Sequence, residues 1–301
     1  MSLKKFLRLI LPQPSAHTAS SFERNDLAQV VMQKRNCVQT LDYHVVEHCN
    51  LNCKCCSTYA PIAKKQFADV NAFRRDLERL KALIGNRLLS LHLLGGEPLL
   101  HPEIEKFIRT AREIYPDIYI DVVTNGLLAR KMPESFWNTL REQNVVLQFS
   151  AYPISLNYVE LVELVKSKGV RSFTFRGDQR IDCFTRKGLD PNGQQNMYAS
   201  HLHCASGNTT QLRDGKLYRC PATAYIFSLN QKMKEEDPTR PDETFKLHEL
   251  DTLDLYQTQD AQAVFDFLSN AIPFCRYCTC STISQVPWGQ SGKDSSEWVD
   301  Y

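Results

Sequence analysis

Eleven cysteines in 301 residues constrain this chain more than any other feature. Ten of them lie beyond position 48, and seven fall into two tight groups: Cys49, Cys53, Cys55 and Cys56, then Cys275, Cys278 and Cys280. Disulfide scaffolds are short secreted chains with spaced cysteine pairs. Tight groups in a chain long enough to bury a core, with 43% apolar residues, predict metal-bound thiolates in a reducing compartment.

Charge narrows the function classes. Lys and Arg number 36 against 34 Asp and Glu, a net +2, which argues against a dedicated nucleic-acid binder. No run approaches the roughly 20 apolar residues of a membrane span. Residues 1–12 read as a short basic amphipathic helix, because Arg8 interrupts the apolar run that an export signal needs. Such a helix suits a protein surface, or contact with a membrane surface. The expected location is the cytoplasm.

From residue 39 the pattern alternates strand and helix. Thr40 to Val46 reads as a strand that runs straight into Cys49. Asp69 can cap a helix with Val70, Phe73, Leu77, Leu80 and Ile84 on one face. Strands follow at Leu89–Leu94, Ile118–Val123, Val145–Phe149 and Arg171–Arg176, with helices between them. Five strands alternating with four helices predict an α/β fold: a parallel sheet with right-handed crossovers, covered on both faces, with ligands at the strand C-terminal ends. Cys49, Gly95–Gly96, Asn125 and Ser150 all fall at such ends. Further on, Asp214–Gly215 predicts a type I′ hairpin. Residues 231–246 read as a charged surface loop, and 260–269 as a helix. The expected organisation is an N-terminal helix and extension at 1–38, a core at 39–200, a small cysteine-bearing domain at 201–282 and a tail at 283–301.

Cys49, Cys53 and Cys56 have the spacing C-x3-C-x2-C. A cubane iron–sulfur cluster normally takes four thiolates, so three leave one iron open to another ligand. A zinc knuckle is the alternative, although zinc sites favour C-x2-C pairs and four ligands. This motif, followed by Gly95-Gly96-Glu97-Pro98 and Thr124-Asn125-Gly126, resembles the radical S-adenosylmethionine (SAM) superfamily over about residues 40–176. The resemblance implies a partial (β/α) TIM-like barrel. It implies a [4Fe–4S] cluster on the three cysteines, with SAM on the open iron. Gly95, Gly96, Glu97 and Pro98 are then expected around the SAM amine, Thr124 and Asn125 along the cofactor, and Ser150 and Arg176 at its carboxylate. Thr124 and Asn125 read equally well as an ordinary strand-end turn. The family often has an aromatic where this chain has Cys55, which reads as a small packing residue.

Cys204, Cys220, Cys275 and Cys278 resemble the "twitch" domain, a shortened relative of the SPASM domain, which holds an auxiliary [4Fe–4S] cluster. A structural zinc site is the other reading of the same four thiols. Cys280 could replace Cys278; His201 and His203 read as surface residues; Cys37 and Cys183 receive no role. The single auxiliary group resembles the aminocyclitol dehydrogenase type. That implies reductive cleavage of SAM, hydrogen abstraction by the 5′-deoxyadenosyl radical and oxidation of a carbinol in a sugar-like small molecule. Electrons would come from a donor such as flavodoxin or ferredoxin. A peptide-crosslinking or epimerising maturase is the second reading, and a non-enzymatic metal-stabilised binding module the third. No His or Asp dyad stands out as a catalytic pair.

Overall fold

The computed structural model describes residues 36–175, 181–204, 206, 209–279 and 284–301. The expected helix at 1–12, Arg176 and Cys280 lie outside the described residues.

Five parallel strands appear as the alternation requires: β1 (Val38–Val46), β2 (Leu88–Gly95), β3 (Tyr119–Thr124), β4 (Val146–Phe149) and β5 (Ser172–Thr174). Between them run α1 (Val70–Ile84), α2 (Ile104–Ile114), α3 (Glu134–Glu142) and α4 (Tyr158–Ser167). Asp69 caps α1 by accepting from the Ala72 amide at 2.8 Å, which satisfies one of the unpaired donors of the first turn. The apolar stripes of these helices join Leu41, Tyr43, Val45, Leu91, Leu93, Ile120 and Val122 in one core.

The strands are two-sided. On β1, Leu41, Tyr43 and Val45 face that core, while the alternate residues Asp42 and His44 face the opposite side. Register places Gln211, Asp42, His92 and Asp121 side by side across four strands. The sheet therefore has an apolar outer face under helices and a polar inner face, the arrangement of a partial TIM-like barrel with an open lumen.

β6 (Cys183–Arg186) and α5 (Met197–Leu202) lead to the hairpin of β7 (Thr209–Arg213) and β8 (Lys216–Tyr218). Asp214 and Gly215 have φ of 50° and 72°, as a type I′ turn demands. The hairpin belongs to the main sheet, since β7 pairs parallel with β1. The order is β5-β4-β3-β2-β1-β7-β8-β9, where β9 is Thr252–Asp254. Residues 231–236, expected in a loop, are the end of α6 (Pro221–Glu236). Pro221 sits in its first turn, where a missing N–H costs nothing, and Tyr225, Leu229 and Met233 bury one stripe. The charged residues that suggested a loop occupy its other side. α7 (Ala261–Ser269) lies where the pattern placed it. A second core gathers Tyr225, Leu229, Met233, Phe245, Phe274, Tyr277, Trp298 and Val299.

Residues 284–301, read from the sequence as a tail, form part of this structure. β10 (Ser284–Pro287) pairs antiparallel with β6, and the segment then runs back over the first cysteine loop.

Candidate active site

Beyond Val46 the chain leaves the sheet in a loop that carries Cys49, Cys53 and Cys56. This loop closes over a cavity of about 290 Å³ at the C-terminal ends of β1 to β4. The three cysteines line it together with Gly95, Gly96, Thr124, Asn125 and Ser150. A larger cavity of about 780 Å³ lies along the β4–α4 connection, but its lining has one carboxylate, Glu163, and no cysteine, histidine or basic side chain. The chemistry is concentrated in the smaller one.

Each of the three sulfurs has a hydrogen-bonding neighbour. The Leu51 amide donates to Cys49 Sγ at 3.3 Å, and Asn125 Nδ2 stands 3.8 Å from it. Thr58 Oγ1 is 3.4 Å from Cys56 Sγ. The Trp288 indole N–H donates to Cys53 Sγ at 3.3 Å. Burial pushes the thiols of Cys49 and Cys53 up to about 12, so without a cation they stay protonated. Three thiols, one buried and two half-buried, each with a hydrogen-bonding neighbour and all facing one cavity, fit a metal group that turns them into thiolates. Three such ligands suit a four-iron cluster with one iron left for a further ligand.

The glycines do something the sequence did not suggest. A Cβ at Gly95 would stand 2.1 Å from the Val46 carbonyl oxygen, and one at Gly96 would stand 2.0 Å from that of His48. The Gly96 amide donates to Val46 O at 2.7 Å and the Glu97 amide to His48 O at 3.1 Å. The glycines thus let the end of β2 grip the residues leading into Cys49, while still bordering the cavity. Glu97 is fully buried and turned away from that lining. Its carboxylate accepts from Thr124 Oγ1 at 2.6 Å, the Asn125 amide at 2.9 Å and the Leu99 amide at 3.0 Å. Burial raises its pKa to about 7, against the lowering effect of these donors. Glu97 ties the end of β2 to the end of β3, and Pro98, buried at the start of a 3-10 turn, supports the tie. Asn125 is held in turn, its Nδ2 donating to Asn50 Oδ1 at 2.8 Å.

Below the cysteines the cavity has a polar floor. Gln211 Nε2 donates to Asp42 Oδ2 at 2.7 Å. Burial raises the Asp42 pKa, although His92, Gln211 and His44 oppose it. His44 is buried, stacked on Tyr225 with ring centroids 3.9 Å apart, and neither of its ring nitrogens has a hydrogen-bond partner. Glu47 Oε2 stands 3.8 Å behind its Nδ1, and Arg213 lies 3.3 Å from Glu47.

The segment after β10 seats the cysteine loop, a role sequence reasoning missed. The Lys54 amide donates to Gly289 O at 2.8 Å, and the Ser291 amide to Asn52 O at 2.9 Å. Cys55 adopts a left-handed φ of 56°; its amide donates to Glu297 Oε2 at 3.1 Å and its thiol to Glu297 O at 3.3 Å. Trp298 Nε1 donates to Cys56 O at 2.8 Å. Two tryptophans in a polar stretch were the available signal, since a part-buried indole N–H needs an acceptor.

The second cysteine group also converges. Cys204, Cys220 and Cys278 line one cavity, into which Cys55 also faces. Cys275 lies within electrostatic reach of Cys220 and Cys204, and burial pushes its thiol up to about 12. Cys275 lies within the turn Pro273–Tyr277 and Cys278 ends it, with the Cys278 amide donating to Cys275 O at 3.2 Å. Arg219 is buried among these thiols and donates to Leu268 O at 2.6 Å. Burial lowers its pKa, and the charges of Cys275, Cys220 and Cys204 counter that. A buried guanidinium within electrostatic reach of three thiols fits an anionic thiolate-bound group. His201, expected on the surface, is buried and in hydrogen-bond contact with Arg219 at 3.1 Å; His203 is exposed. Tyr59 is buried within electrostatic reach of both groups, of Cys278 and Cys220 and of Cys56. Among the described residues, no three His, Cys, Asp or Glu side chains are gathered closely enough to hold a single metal ion; the cysteines border cavities. Among the described residues no helix is long and apolar enough to cross a membrane.

Comparison with known proteins finds likenesses over part of the chain. A model of the radical SAM superfamily matches residues 43–159. GTP 3',8-cyclase of Aliarcobacter butzleri (strain RM4018) is 28% identical over 162 residues, covering 50% of this chain and 48% of that protein. GTP 3',8-cyclase of Helicobacter pylori (strain ATCC 700392 / 26695) is 28% identical over 113 residues, covering 36% and 35%. The chain thus spans about half the length, or less, of these curated relatives. Among solved structures, BtrN in complex with AdoMet and 2-DOIA aligns over 82% of this chain and 94% of that one, at 15% identity and a TM-score of 0.45. Streptococcus suis SuiB bound to precursor peptide SuiA aligns over 57% and 42%, at 18% identity and a TM-score of 0.39.

Proposed function

Starting from the radical SAM domain that residues 43–159 form, we infer that the chain is an enzyme that oxidises a carbinol carbon of a small, sugar-like substrate. When bound, a [4Fe–4S] cluster with SAM supplies the radical chemistry that removes the substrate hydrogen, and a second [4Fe–4S] cluster takes up the second electron. In this reading Cys49, Cys53 and Cys56 hold the first cluster. Gly95, Gly96, Thr124, Asn125 and Ser150 border the space for SAM, while Glu97 and Pro98 position that border. Arg176 remains a proposed partner of the SAM carboxylate. Cys204, Cys220, Cys275 and Cys278 hold the second cluster, with Arg219 balancing its charge. A flavodoxin or ferredoxin in the same compartment would deliver the electrons.

The observation that carries the substrate class is the polar floor. Buried polar groups are costly unless they find partners. Asp42, Gln211 and the unpartnered ring of His44 face the same cavity as the three thiols, and hydroxyl groups of a polyol match them. Oxidation of a carbinol also releases the hydroxyl proton. His44 is placed to accept it, with Glu47 behind to stabilise the charge.

Anaerobic reconstitution should give about eight irons per chain. About four irons plus one zinc would remove the second cluster from the reading. Polyols and aminocyclitols deuterated at the carbinol carbon are then supplied with SAM and dithionite. Deuterium appearing in 5′-deoxyadenosine, together with a carbonyl product, supports the reading. Transfer from a deuterated peptide instead would make the chain a peptide maturase.

A further inference from the structure

Four donor groups lie within hydrogen-bond reach of the three sulfurs, and two of them come from outside the cysteine loop: Asn125, at 3.8 Å from Cys49, and Trp288, which makes the shorter contact at 3.3 Å. Leu51 and Thr58 each sit two residues from the cysteine they serve, within the same loop. Trp288 reaches Cys53 from 235 residues away. Its position is fixed from both sides. Pro287 pairs with Cys183 in the β10–β6 ladder, and the Trp288 amide donates to Asp182 O at 2.8 Å. Gln290 then bridges to Cys53 itself. The Tyr152 ring stacks beside the indole with centroids 6.3 Å apart. Cys53 is only 5% exposed, so solvent is a poor substitute donor.

We propose that Trp288 sets the reduction potential of the cluster held in part by Cys53, by donating its indole N–H to that sulfur. The proposal rests on the assignment of Cys53 to the first cluster made above. Reduction adds one electron to the cluster, here from dithionite, and makes its sulfurs more negative. A hydrogen bond to a thiolate sulfur is stronger when that sulfur carries more charge. It therefore favours the reduced state and raises the potential. The donor is only partly buried and comes from a separate segment, so it can be removed without touching the cysteine loop's own hydrogen bonds.

The test is a redox titration of the reconstituted full chain, followed by electron paramagnetic resonance. The signal that changes when SAM is added identifies the first cluster, and its presence with full iron content tests the ligand assignment independently of the proposal. Trp288→Phe keeps the ring and removes the N–H. At a fixed potential the ratio of reduced to oxidised first cluster should fall about tenfold, equivalent to about 59 mV for one electron. The second cluster's signal should not move. Trp288→His returns a ring N–H and should recover most of the ratio. An unchanged potential in Trp288→Phe at full iron overturns the proposal. If Trp288→Phe loses iron, the His variant decides. Recovery of iron and potential together supports the N–H, and recovery of iron at a lowered potential makes the indole a packing element only.

Discussion

Glu97 shows how packing adds to what a motif reveals about a residue. In sequence it looked like an acceptor for the SAM amine; in the fold its carboxylate is spent on Thr124, Asn125 and Leu99. Its pKa of about 7 against an ordinary 4.5 has a stability consequence. As pH rises between those values the unfolded chain ionises Glu97 while the folded chain resists. The fold loses stability through that window, by at most about 3 kcal/mol once pH exceeds 7. Glu97→Gln removes this loss. Urea unfolding at about pH 5 and about pH 8 should show the variant gaining on the parent chain as pH rises; parallel stabilities would mean Glu97 is ionised throughout. The cysteine spacing was legible because ligand geometry acts locally. Arg219, Tyr59 and His44 were not, because their meaning lies in what distant segments place against them.

Elements tell the same story at longer range. The helical stripes of α1 to α4 were readable, since a 3.6-residue period needs no tertiary information. The Asp214–Gly215 turn was readable too, because few residue pairs accept positive φ twice. What could not be read was where the hairpin docks, as pairing of β7 with β1 is a long-range choice. Its turn is now tightly packed: the Gly215 amide donates to Asp76 Oδ2 at 2.9 Å, and a Cβ there would stand 2.8 Å from the Tyr256 ring. Gly215→Ala, at φ 72°, should cost about 1 to 2 kcal/mol and shift the urea midpoint without changing the m-value. A change in m-value would indicate that β7 leaves the sheet altogether. α6 was misread for the opposite reason: its charged side chains mask a stripe that is apolar only every fourth residue.

At the scale of the whole molecule, the two cysteine groups share one scaffold. Trp298 belongs to the second core, holds Cys56 O and packs edge-on against Tyr59 at 5.7 Å. A chain ending before Ser284 keeps every proposed cluster ligand yet lacks the contacts to Cys53, Cys55 and Cys56. Its iron content after reconstitution should fall to about half or less of the parent value, and 5′-deoxyadenosine formation should vanish. Full iron and normal SAM cleavage would show that the first loop seats itself. The alternation of strands and helices predicted the parallel sheet, and the family resemblance implied its half-barrel form. The two tryptophans of residues 284–301 signalled indoles in need of acceptors, but not that those acceptors lie in the first cysteine loop. That fastening sets an order of events during synthesis. The motif at residues 49–56 leaves the ribosome early, but its seat is complete only after residue 298 has emerged. Stable seating of this loop is therefore expected only once the segment carrying Trp288 and Trp298 has been made and has folded back onto it.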